Sequence, residues 1–287
     1  MDLAKQDIGG GGPAPSSSPT AKAAAIEAAR ATRLARPPVM TIDNVSKVFG
    51  GTVVALKGMS LEVAQGDFIS LLGPSGCGKS TALKLISGLS PPTTGRLRWQ
   101  SGGSSPEDGA LGVVFQEPTL MPWATVAQNV WLPLRLKGRR FRHCEAEIRD
   151  ALATVGLSGF EKSYPRELSG GMKMRVSIAR ALVTRPRVIL MDEPFAALDE
   201  ITRFKLNNDL LAMRAKLNCT VIFVTHSVFE SVFLSDRIVV MAARPGRVIA
   251  ELNVDEPYPR TEAFRTSADY VAHCRATSLA LHAAMEG

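Results

Sequence analysis

The stretch GPSGCGKST, residues 73–81, constrains this chain more than any other. It satisfies G-x-x-x-x-G-K-[ST], a pattern that carries meaning only between a buried strand and a helix. DFISLL at 67–72 is a short apolar run leading straight into it. The residues after it set Leu83, Ile86 and Leu89 on one helical face, with a stop expected near Gly88 and Leu89, before Pro91-Pro92. In that setting Gly73, Gly76 and Gly78 let the backbone curl so that successive N–H groups face a β-phosphate. Lys79 puts a point charge across the β- and γ-phosphates, and Ser80 offers a hydroxyl to Mg²⁺. Pro74, Ser75, Cys77 and Thr81 complete the nucleotide-binding loop; Cys77 stands at a free position of the motif, where no catalytic duty is expected.

A phosphate loop needs an acidic element to complete its metal site. VILMDEPF, residues 188–195, supplies one: four apolar residues predict a buried strand, and Asp192-Glu193 emerge at its C-terminal end. Ligands bind at that end of a parallel sheet. Asp192 can hold Mg²⁺ through water, and Glu193 can polarise an attacking water as general base. A second anion-holding element follows from LSGG at 168–171, where Ser169, Gly170 and Gly171 open an amphipathic helix. One nucleotide per chain leaves that second helix start unexplained.

Along the chain, residues 39–66 read as antiparallel strands around a Gly50-Gly51 turn, and 125–183 as mostly helical. RVILM (187–191), TVIFVT (220–225) and RIVVM (237–241) read as three more buried strands. Strands alternating with helices imply an α/β fold with a mainly parallel sheet. From about residue 260, one or two surface helices offer Phe264, Val271 and Leu279 for packing. The apolar runs VILM and IVVMAA are too short to cross a bilayer, so a soluble protein is expected. The N-terminus lacks a signal-like apolar region, and Gly9–Gly12 with the Pro and Ser that follow reads as a flexible tail. Within it, residues 21–34 read as a short Ala-rich helix ending before Pro37-Pro38, a frayed extension ahead of the alternative, a partner-docking helix.

Cys77, Cys144, Cys219 and Cys274 show no C-x-x-C pair, which points to a reduced compartment without zinc or disulfides. The net charge is +7, densest in RLKGRRFRH at 135–143. With only Phe141 there to stack on bases, that run reads as a solvated basic face, with a face near anionic lipid headgroups as the second reading, rather than as a nucleic-acid site.

The order of P-loop, LSGG, acidic strand and a lone His after another strand resembles the ATP-binding-cassette (ABC) ATPases over residues 39–250. The resemblance implies a P-loop NTPase cassette: an antiparallel β subdomain, a parallel core sheet, and a helical signature subdomain at about 117–183. The cassette would span 38–258, between a flexible tail at 1–37 and a helical extension at 259–287. It implies a Q-loop role for Gln116, which senses Mg²⁺ and water. It also implies a D-loop role for Asp199, a switch role at the γ-phosphate for His226, and adenine stacking by Phe49, where the family usually has Tyr. Met172, Met174 and Ser227 depart from common family residues without removing a phosphate, metal or water contact.

The resemblance also explains the second helix start. In the family two cassettes pair head to tail, so Ser169, Gly170 and Gly171 would serve the ATP held by a partner. The chain would act as a homodimer or beside a second cassette. FQEPTLMPWATVAQNV (115–130) and ARPGRVIAEL (243–252) look like the importer group for nitrate, sulfonate and taurine. That implies integral-membrane permease subunits, an extracytoplasmic solute-binding protein as indirect partner, and a position on the cytoplasmic face of the membrane. Pro122-Trp123 lie where relatives receive a permease helix, and packing within the helical subdomain is the other reading of Trp123. An ABC ATPase of an exporter or of a non-transport process is the alternative. A P-loop GTPase is disfavoured, since no N-K-x-D occurs.

Overall fold

The computed structural model describes residues 24, 27, 31, 35–100, 111–217 and 219–286. The tail and the Ala-rich helix expected within it lie outside these residues, apart from Ala24, Glu27 and Ala31, which are helical and exposed.

The chain opens with β1 (Pro38–Phe49) and β2 (Val53–Ala64), an antiparallel pair across the Gly50-Gly51 turn. Next come β3 (Phe68–Leu72), α1 (Lys79–Ile86), β4 (Thr94–Trp99) and β5 (Leu111–Val114). The helical middle holds α2 (Val126–Leu136), α3 (Glu145–Thr154) and α4 (Gly170–Leu182). Then follow β6 (Val188–Asp192), α5 (Glu200–Leu217), β7 (Thr220–Thr225), α6 (Val228–Leu234), β8 (Arg237–Ala242) and β9 (Arg247–Asn253). The helices α7 (Glu262–Arg265) and α8 (Ala268–Glu286) close the described chain.

Two sheets result. One is antiparallel, in the order β2-β1-β4; the other has the order β5-β6-β7-β3-β8-β9, parallel except for β9. The continuous apolar runs of the central strands follow from burial on both faces. Phe68, Ile189, Met191, Val221 and Phe223 point into a core shared with the helices, while Ile69, Leu71, Val188, Leu190, Ile222 and Val224 point into a second core under the antiparallel sheet. The period of two thus divides each strand between two cores.

Several expectations fail. Leu89 is not on the buried face of α1: the helix ends at Ile86, Gly88 turns the chain at φ 73°, and Leu89 is 72% exposed. Val271 and Leu279 also face solvent, because α8 packs through Tyr270, Cys274, Thr277 and Ala284. Those four recur at helical spacing on a face that excludes the two apolar ones. The strands β4, β5 and β9 were not anticipated.

Candidate active site

The parallel register brings the chemistry to one edge. Leu72 pairs with Thr225, and Asp192 with Val224, so the segments leaving β3, β6 and β7 emerge together at their C-terminal ends. Gly73, Asp192-Glu193 and His226 occupy those exits. The loop from β3 into α1 needs its last glycine. Gly78 caps α1 at φ 93°, and a Cβ there would come within 2.8 Å of the Ala55 carbonyl oxygen. Lys79 is buried, its ammonium donating to the Gly73 and Pro74 carbonyls at 2.8 and 3.0 Å and lying 3.7 Å from Cys77 Sγ. Burial raises the Cys77 thiol pKa, which keeps it protonated.

A cleft of about 350 Å³ is lined by Ala55, Ser75, Gly76, Gly78, Lys79, Ser80, Thr81, Glu193 and His226. Ser80 Oγ donates to Asp192 Oδ1 at 3.3 Å, so a hydroxyl and a carboxylate meet beside the phosphate loop. Both are hard oxygen donors and fit Mg²⁺, which takes few protein ligands and fills its shell from phosphate and water. The glycine cradle fits a phosphate chain. Above them, His226 Nε2 donates to Glu193 Oε1 at 2.6 Å, and Nδ1 stands 3.3 Å from the Gly73 carbonyl. Glu193 is held at φ 47°, in the left-handed region, and donates its N–H to the Val224 carbonyl at 3.0 Å. Such backbone is uncommon outside glycine and aims the carboxylate off the strand end.

Other expected site residues lie outside this cleft. Gln116 is exposed just past β5, whose Val114 pairs with Met191 beside the acidic strand end. Arg180 of α4 fixes the loop behind it, donating to the Pro118 and Thr119 carbonyls at 2.9 and 2.8 Å. Phe49 ends β1 with its ring 43% exposed and Lys47 Nζ 5.1 Å from the ring centroid, so it is not core. Asp199 is exposed and caps α5, accepting from Thr202 N at 2.9 Å; hydrogen bonding from the Thr202 side chain, then from its backbone, lowers the Asp199 pKa. Ser169 caps α4 by accepting from Met172 N. Ser169 and Gly170 are exposed, whereas Gly171 is buried against Thr202. None of the three lines the phosphate cleft of its own chain. Trp123 is 77% exposed, which rules out packing as its role. It is held out by Asn129, whose side chain bonds Met121 and Ala124 on either side.

Sequence reasoning missed Gly246. A Cβ there would lie 2.4 Å from the carbonyl oxygens of both Ala55 and Cys77, so β2, the phosphate loop and the segment before β9 meet at this glycine. It also missed Thr225, Arg203 and Glu230, which surround a second cleft behind Glu193 and His226. No local motif announces either contact.

The comparisons with known proteins concern the family and the fold. The family model described as ABC transporter matches residues 56–196. An uncharacterized ABC transporter ATP-binding protein of Methanocaldococcus jannaschii is 46% identical over 82% of this chain and 88% of its own. An aliphatic sulfonates import ATP-binding protein of Bacillus cereus is 42% identical over 78% of this chain and 89% of its own. Among solved structures, cbiO1 of Clostridium perfringens, part of the ABC transporter complex cbiONQ, superposes with a TM-score of 0.70 at 27% identity, covering 84% of this chain and 98% of its own. A dimeric ATP-binding cassette in a post-hydrolysis state, bound to ADP and Pi, gives 0.63 at 32% identity over 75% of this chain and 98% of its own.

Proposed function

This chain belongs to the ABC transporter family and is an ATP-binding cassette ATPase, and from that premise we propose that it powers a membrane importer for a small solute. In this reading it sits on the cytoplasmic face of the membrane and works on separate permease subunits, which an extracytoplasmic binding protein supplies. No helix among the described residues is long and apolar enough to cross a bilayer. Support for import comes from the relative named for sulfonate import and from exposed Phe115 and Trp123 on either side of the loop after Gln116.

The observation that carries the hydrolytic reading is the Glu193–His226 contact at 2.6 Å over the Ser80–Asp192 pair. Gly73 through Thr81 cradle the phosphates, and Lys79 turns its charge to the β- and γ-phosphates. Phe49 stacks on adenine. Ser80 and Asp192, joined by Gln116, would hold Mg²⁺, and the ion would supply charge neutralisation on the phosphate oxygens. Glu193 takes the proton of the attacking water, and His226 holds the γ-phosphate against it.

Ser169, Gly170 and Gly171 serve a second cassette. Their helix start is exposed and stands apart from the cleft of its own chain, which supports its N–H groups serving the γ-phosphate held by a partner. Asp199, exposed at the start of α5, would serve the same junction. The chain thereby acts as a head-to-tail pair with two composite sites.

The importer reading is tested by solubilising membranes from cells that express a tagged full chain. A polytopic permease should copurify, and ATPase activity in proteoliposomes should rise with the cognate binding protein and its solute. Recovery of a permease whose ATPase ignores every binding protein would favour an exporter.

A further inference from the structure

Behind the Glu193–His226 pair lies a cleft of about 290 Å³, lined by both of them and by Phe195, Arg203, Thr225 and Glu230 among others. Glu230 is only 7% exposed and is bound at one oxygen: Thr225 Oγ1 donates to Oε2 at 2.5 Å. The same threonine hydroxyl accepts from Ser227 N at 3.0 Å, so the residues on both sides of His226 are fixed by one contact. Glu230 Oε1 is buried without a hydrogen bond and faces Arg203 Nε, also buried and unbonded, at 3.6 Å. Asn207 and Arg265 face the same carboxylate, and burial raises its pKa despite them. Arg203 in turn is anchored beside Asp199: its N–H donates to the Asp199 carbonyl at 2.9 Å and Nη2 to the Leu198 carbonyl at 3.1 Å.

We propose that Arg203 and Glu230 are positioning residues, a clasp from the first turn of α5 to the loop bearing His226 that sets where the histidine meets Glu193. The inference rests on the ATPase reading and goes beyond it. Ser227 already caps α6, accepting from Glu230 N at 3.3 Å, so a buried carboxylate is not needed to start that helix. Its placement is explained by the two ends it joins. An unmade hydrogen bond between buried charged groups is costly, and closing it needs a shift of roughly 0.7 Å. Movement of the Asp199 segment therefore reaches Thr225, and through it His226, by a contiguous set of polar contacts.

The test uses the purified full chain and the variants Glu230→Gln, Arg203→Gln and the double variant. Each single substitution should lower kcat about tenfold with KM for ATP changed less than twofold, and the double should be no worse than the worse single. Arg203→Lys should recover part of the loss. In ¹³C-histidine-labelled protein, the His226 resonance, assigned by its loss in His226→Gln, should move in both single variants. A His226 resonance that stays put, or losses that multiply in the double variant, overturns the clasp. If Glu230→Gln does not fold, Arg203→Gln decides, since that side chain is 34% exposed and tolerates change. An unmodified chain without ATPase activity would count against the reading beneath, and the resonance measurement would still judge the clasp.

Discussion

Gly246 and Glu193 show how much can depend on one position. Gly246 admits no side chain, because a methyl would press on the carbonyls that shape the phosphate loop at Cys77 and the strand at Ala55. Gly246→Ala should destabilise the fold by about 1–3 kcal/mol, the usual cost of overpacking. It should also weaken ATP binding tenfold or more, measured by fluorescent-nucleotide titration below the melting transition. Unchanged affinity would show that the loop tolerates the shift. Glu193 gives the opposite kind of test: Glu193→Gln keeps the shape but cannot accept a proton. Turnover should fall at least a hundredfold while ATP binding persists, and size exclusion with MgATP should show a lasting dimer. Substantial steady-state hydrolysis would remove Glu193 from the base role. The motif residues around it were legible because a P-loop is a local pattern. Gly246 was not, since its constraint comes from chain about 170 residues away in sequence.

At the scale of elements, the central strands were legible as unbroken apolar runs because both of their faces are buried. β5 is only four residues long and contains Gly112, a choice set by close approach to the Ala181 carbonyl rather than by strand patterning. β9 is antiparallel on the sheet edge and alternates between half-buried and exposed, so no apolar run marks it. The last segment is fastened by an unusual arginine. Arg260 is 5% exposed and donates to the carbonyls of Val232, Phe233, Ser235, Val254 and Glu256, tying α6 and the exit of β9 to the chain before α7. Arg260→Ala would orphan these acceptors and should cost about 3–5 kcal/mol in urea unfolding. Beside it, Tyr258 donates to the Leu234 carbonyl at 2.7 Å, and burial pushes its pKa up to about 12 from 10. A folded-state pKa above the unfolded value gives stability that is complete below pH 10 and is lost as pH rises through about 12. The loss over that window should be roughly 3 kcal/mol from this group, at 1.36 kcal/mol per unit. Tyr258→Phe should flatten the slope by that amount, and an unchanged slope would assign it to other groups.

For the whole molecule, the question is where the second anion-holding helix start does its work. On its own chain Ser169 opens α4 away from the cleft lined by Lys79 and Glu193, and a tight dimer is the simplest way to bring the two together. Mixing an inert Lys79→Ala chain with an inert Ser169→Arg chain separates the alternatives. If sites are composite, each mixed dimer has one site with both lesions and one with neither, the latter pairing the loop of the Ser169→Arg chain with the helix start of the Lys79→Ala chain. ATPase activity should then return on mixing, reaching its maximum near equal amounts, and per mixed dimer it should approach half of the unmodified rate, falling below that to the extent that the two sites depend on each other. If each helix start instead served its own loop, both sites of every mixed dimer would stay broken at any ratio. Differential tags confirm that mixed dimers form, so the readout is hydrolysis per confirmed heterodimer. Zero activity from them would refute independent composite sites, whereas recovery requires that an intact loop and an intact helix start from different chains close on one nucleotide.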